Sequence, residues 1–107
     1  MELKHLKSFL AVAERLSFIR AAEHLHLSQP ALSAQIQNLE DELGVKLLYR
    51  TRRVVRLTTE GEIFIEEARA TLARAEQAIE PVSIAELGGK LAQPVTDAIQ
   101  DERHALR

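Results

Sequence analysis

Only two residues, His26 and Leu27, separate a short apolar-faced segment ending at Leu25 from Ser28, a residue suited to start a helix. Two helices joined by so short a turn must cross at a steep angle, which is helix-turn-helix geometry. The Ser28 hydroxyl can take an orphan backbone N–H of the first turn, and Pro30 costs little there because its missing N–H has no intrahelical partner. Leu32, Ile36, Leu39 and Leu43 follow at spacings of four, three and four, giving one apolar stripe. Gly44 then supplies the left-handed residue that stops the helix, which is expected over about 28–43. The opposite face carries Gln29, Ser33 and Gln37, with Gln35 and Asn38 nearby. Side chains that both donate and accept suit two roles, a solvated surface or the reading of base edges in a major groove. In a helix-turn-helix it is the second helix that enters the groove.

The flanking segments complete the unit. Leu3, Leu6, Leu10 and Ala13, with Phe9 and Leu16 beside them, predict an amphipathic helix from about 2 to 15. Ser17 caps a second, short helix through Leu25 that buries Phe18, Ala21, Ala22 and Leu25. The small pair Ala21-Ala22 lets another helix approach closely. Beyond Gly44, Val45–Tyr49 and Val54–Leu57 are β-rich runs around Arg50-Thr51-Arg52-Arg53, a two-stranded wing with a basic tip spanning 50–56. Such a wing can reach a backbone or a minor groove; the plainer alternative is an exposed hairpin with solubilising charges.

Thr59 with Glu62 fits a capping box at the start of a long helix to about Glu80. Ile65, Ala68, Leu72, Ala75 and Ile79 form a seam suited to pairing with a second copy, or to cover by the chain's own tail. Pro81 is expected to break or kink this helix, Gly88-Gly89 to turn, and Leu91, Val95, Ala98, Ile99 and Leu106 to line a last short helix. The fold expected is mainly α: a winged helix-turn-helix over 1–58, a linker helix over 59–80 and a tail over 81–107.

Charge is unevenly placed. The chain sums to −2, but residues 1–58 hold nine Lys/Arg against six Asp/Glu, and the remainder five against ten. Lys46, Arg50, Arg52, Arg53 and Arg56 form a positive block with no acid from 43 to 59. Cysteine is absent, so disulfides and thiolate metal sites are excluded. His24 and His26 lie two apart and do not share a helix face, so no metal, cofactor or catalytic centre is expected. Met1–His5 has no signal-peptide core and no apolar run approaches membrane length, which points to a cytoplasmic protein.

The run FLAVAERLSFIRAAEHLHLSQPALSAQIQNLEDELGVKLLYRTRRVVRLTTEG resembles the N-terminal DNA-binding domain of LysR-type bacterial transcriptional regulators. The resemblance covers roughly residues 1–80. It implies a winged helix-turn-helix, a linker helix that pairs two subunits, and binding to interrupted inverted repeats in double-stranded DNA. By motif position it implies that Gln29, Pro30 and Ser33 meet base edges, with Gln37 further along the face. Pro30 and Ala31 offer apolar contact to a thymine methyl. Arg53 resembles the wing arginine of the minor groove, with Arg50 and Arg52 as neighbours. Ser17, Arg20 and Ser28 resemble phosphate holders, although Arg20 also suits a surface pair with Glu14 or Glu23.

Three departures qualify this picture. Ala34 stands where the family often has a basic residue, removing a base or phosphate contact. Ile19 replaces a usually polar residue. Residues 81–107 have no strand-rich pattern of the kind that opens the family's effector-binding domain, so no small-molecule effector site is expected in this chain. The function expected is sequence-specific DNA binding as a homodimer in transcription regulation. The rivals are an interaction module that pairs with a full-length relative through the linker helix, and a non-specific DNA binder.

Overall fold

The structure, a computed structural model, describes residues 1–51 and 53–91, with side chains as far as Ala85. Its elements in chain order are α1 (Leu3–Arg15), α2 (Phe18–Leu25), α3 (Gln29–Leu43), β1 (Leu48–Arg50), β2 (Val55–Leu57) and α4 (Thr59–Leu91). The chain divides into two compact units, Met1–Leu72 and Ala73–Arg107.

The core of the first unit is built by the apolar faces read from the periodicity. Leu6, Phe9 and Val12 of α1, Ala21 and Ala22 of α2, and Leu32, Ile36 and Leu39 of α3 bury together, joined by Leu47. Burial of each large side chain contributes about 1.5–3 kcal/mol. The stripe on α3 ends one residue early, since Leu43 emerges to 38% exposure at the helix end. The turn between α2 and α3 closes on His26, which takes left-handed backbone (φ 58°) although it is not glycine. The Leu27 N–H then donates to the Ala22 carbonyl at 2.9 Å, satisfying a helix-end acceptor.

The wing is shorter than the β-rich runs suggested. Leu48 pairs with Leu57, Tyr49 with Arg56 and Arg50 with Val55, antiparallel. Strand pairing starts at Leu48 because the backbone just before it is held otherwise. The buried Glu40 carboxylate accepts the N–H groups of Leu47 and Leu48 at 2.7 and 3.2 Å, and the Leu47 carbonyl accepts from Thr58 N–H at 3.0 Å. At the tip, Thr51 N–H donates to the Val54 carbonyl at 2.9 Å, while the Thr51 hydroxyl accepts from Val54 N–H at 3.1 Å.

Two expectations about the long helix are corrected. Its N-terminal cap is Thr58 rather than Thr59: the Thr58 hydroxyl accepts from Gly61 N–H at 2.9 Å and donates to the Lys46 carbonyl at 2.7 Å. That leaves position N3 to Gly61, so no capping box forms. Pro81 does not end α4, and neither does Gly88-Gly89, for the helix runs to Leu91. Proline removes one hydrogen bond from the ladder at a cost of about 3 kcal/mol, yet the helix continues across it.

The seam residues differ in their exposure. Ala68 is fully buried and Ile65 and Leu72 are half-buried against the chain's own core. The start of α4 lies along α1, with the Phe9 and Phe64 rings 5.6 Å apart and Arg69 3.6 Å from Glu14. In the second unit Ala75 is half-buried and Ile79 is 61% exposed. The proposed tail helix around Val95 to Leu106 lies outside the described residues.

Candidate nucleic-acid interface

Two helix starts and the wing converge on one side of the first unit. Ser17 and Ser28 are N-caps, their hydroxyls accepting from Arg20 N–H at 3.1 Å and Ala31 N–H at 3.2 Å. Each hydroxyl keeps its own proton to donate outward. The first turns of α2 and α3 carry no acid, so their partial positive charge is left available to an anion. Arg20 is exposed in the first turn of α2, and Glu14 is paired with Arg15 and Arg69 instead.

Between these helix starts and the wing lies an open groove of about 660 Å³. Ser17, Gln29, Arg50 and Arg53 border it, together with the apolar Ile19 and Val54. Ile19 is 57% exposed there, an apolar rim on a polar groove that hydrophobic periodicity has no means of singling out.

Along α3, Gln29, Pro30, Ala34 and Gln37 are exposed, while Ala31 and Ser33 are half-buried. Ala34 presents only a methyl group. Gln37 is engaged locally, its amide nitrogen donating to Asp41 at 2.8 Å. The acids Glu40, Asp41 and Glu42 all sit at the far end of the helix, so its N-terminal half alone is free of negative charge.

The three wing arginines described behave differently. Arg53 is exposed at the tip. Arg50 turns back: its Nη1 donates to the Ser33 hydroxyl at 2.7 Å, and its guanidinium carbon lies 3.8 Å over the buried Phe18 ring. Arg56 sits 5.7 Å over Tyr49. Arg52, expected beside Arg53, lies outside the described residues. Hydrophobic periodicity marks Phe18 as core but carries no sign of its contact with Arg50, nor of the role of Glu40. The β-rich run beginning two residues after α3 is the available signal that something must anchor the first strand.

The bacterial regulatory helix-turn-helix protein family of the lysR type matches residues 3–62. The chain belongs to that family. This LysR-family chain is 56% identical over 78 residues to the Hca operon transcriptional activator HcaR of Escherichia coli (strain K12), covering 73% of itself and 26% of HcaR. It is 54% identical over 80 residues to the HTH-type transcriptional regulator AlsR of Bacillus subtilis (strain 168), covering 75% of itself and 26% of AlsR. The chain thus spans about a quarter of the length of these relatives.

Solved structures agree. The crystal structure of the CbnR DNA-binding domain in complex with DNA matches with a TM-score of 0.76 and 43% identity, over 80% of this chain and 99% of that one. The BenM DNA-binding domain in complex with benA site 1 DNA matches with a TM-score of 0.73 and 47% identity, over 78% and 93%. The LysR-family chain is a winged helix-turn-helix, a DNA-binding domain of a transcription regulator. In the described residues no helix is long and apolar enough to cross a membrane.

Proposed function

We propose that this domain reads an interrupted inverted repeat as a homodimer. The recognition helix, about 28–43, enters the major groove, and the wing over 50–56 reaches the flanking minor groove. Gln29 and Ser33 meet base edges, with Pro30 and Ala31 available to a thymine methyl, Ala34 leaving a gap in the contact row, and Gln37 at its far end. Ser17, Arg20 and Ser28 hold phosphates and fix register. Arg53, with Arg52, enters the minor groove, where the negative potential favours arginine.

One observation carries this reading: Gln29, the two capping serines and the wing arginine Arg53 lie on one side of the first unit, with Ser17, Gln29 and Arg53 bordering a single groove. Pairing through α4 supplies the second half-site reader. Ile79, Val82 and Ile84 are each more than half exposed on the part of the helix beyond the core, which suits contact with another helix. We place the dimer seam there, at Ala75 and Ile79 and onward, with Ile65, Ala68 and Leu72 mainly serving the domain's own core. The domains then divide as a reader over 1–58, a linker helix from 59 and a tail after it. The same exposed residues support a second reading, pairing with a full-length relative.

The role is binding rather than catalysis, because the relatives matched are transcription regulators. A chromosomal DNA target places the protein in the cytoplasm. Selection of bound duplexes from a random library at near-physiological salt tests the proposal. An enriched inverted repeat is expected; a single enriched half-site would remove the dimer, and no enrichment would remove sequence reading altogether.

A further inference from the structure

A serine hydroxyl can donate one hydrogen bond and accept two, so on its own it does not distinguish a base edge that donates from one that accepts. Ser33 is not on its own. Arg50 Nη1 donates to its oxygen at 2.7 Å. Arginine has no acceptor, so the hydroxyl cannot return its proton to Arg50. The hydroxyl keeps its proton and one lone pair, and the positive guanidinium on its inner side turns the proton outward.

The donor is itself held in place. The Arg50 guanidinium carbon lies 3.8 Å from the centroid of the Phe18 ring, close enough for a cation–π contact. Phe18 is buried at the start of α2, and Arg50 ends β1 opposite Val55. Three elements therefore meet on one side chain: α2 through the ring, α3 through the hydroxyl, and the wing through the backbone. Ser33 lies one turn after Gln29 on α3, with the apolar Ala34 beside it, so no neighbouring charge on the helix competes for its orientation.

We infer that Arg50 is a positioning residue that fixes Ser33 as a hydrogen-bond donor. Ser33 then selects a base that offers an acceptor in the major groove, the N7 or O6 of guanine, the N7 of adenine or the O4 of thymine. It disfavours cytosine, whose edge there offers only the N4 donor and no acceptor for the outward proton. Arg50 acts on sequence preference without contacting a base. The inference rests on the reading that α3 lies in the major groove.

The test is random-library selection with the whole chain, carried out for wild type, Ser33→Ala, Arg50→Met and the double variant. Arg50→Met keeps a flexible side chain over Phe18 but removes every donor. Wild type should give one position per half-site at which cytosine is depleted at least about fivefold, the lower end of what one good base contact discriminates. Ser33→Ala should abolish that depletion, Arg50→Met should abolish it to the same extent, and the double variant should add nothing at that position. Arg50→Lys, which retains charged donors and has no acceptor, should restore it.

Preference lost in Ser33→Ala but unchanged in Arg50→Met, with binding to all sequences weakened equally, would overturn the inference and make Arg50 a phosphate contact. Unchanged preference in Ser33→Ala overturns it as well, whether or not Arg50→Met folds. No enriched motif in wild type would instead remove the major-groove reading itself.

Discussion

The Glu40 carboxylate accepts the backbone N–H of Leu47 at 2.7 Å, tying the end of the recognition helix to the approach of the wing. One oxygen also takes Leu48 N–H, and Lys46 stands 3.7 Å from the other. Glu40→Ala removes the acceptor for two buried donors, each costing about 1–3 kcal/mol when left unsatisfied. The variant should unfold at clearly lower urea than wild type, by about 2–6 kcal/mol in total. An unchanged midpoint would mean that water replaces the carboxylate without penalty.

Gly61 sits in the first turn of α4, where alanine is favoured by about 1 kcal/mol on helix propensity alone. A Cβ there would land against the backbone carbonyl of Leu47, well inside van der Waals contact. Gly61→Ala should therefore destabilise, by more than about 2 kcal/mol in thermal or urea unfolding. Gly44→Ala makes the contrast: no atom lies near its Cβ, but φ is +75°, so only the left-handed penalty of about 1 kcal/mol applies. A stabilised Gly61→Ala would show that the Thr58 to Leu47 junction yields easily.

Arg53 and Ala34 should separate affinity from specificity. Arg53→Ala is expected to weaken binding to all duplexes by a similar factor and to lower the salt slope by about 1. Ala34→Arg adds a fork of donors on the exposed face of α3 and should tighten binding, by roughly 1–3 kcal/mol where a guanine is in reach. Fluorescence anisotropy at several salt concentrations on matched and scrambled duplexes distinguishes the two outcomes.

The long helix should respond differently along its length. Ala68→Glu places a charge where there is no exposure and should unfold the first unit. Ile79→Glu, at a position already 61% exposed, should leave thermal stability of that unit unchanged while weakening dimerisation at least about tenfold, measured by sedimentation. A dimer unaffected by Ile79→Glu would move the seam elsewhere on α4.

What the sequence could disclose followed the range of the interaction. Helix starts at Ser17 and Ser28 were legible because capping is a contact three residues long, and the stop at Gly44 because left-handed backbone favours glycine. The apolar stripes of α1 and α3 were legible because burial repeats with the helix. The α4 cap moved from Thr59 to Thr58 because Thr58 has a second partner, Lys46, twelve residues away. Periodicity could not divide the seam on α4 either, since Ala68 and Ile79 have the same spacing whether α1 or another chain covers them. Arg50 reads as a tip charge in sequence because its partners, Ser33 and Phe18, are distant along the chain.

The stack of Arg50 on Phe18 has a consequence for how such a reader can diverge. Phe18 is a buried residue at the start of a helix that scans no bases. If Arg50 sets what Ser33 accepts from DNA, a change at Phe18 that lets the guanidinium swing away alters the preferred operator while every base-facing side chain stays the same. Two relatives with identical recognition helices can then hold different target sites, with the difference written in the packing behind them.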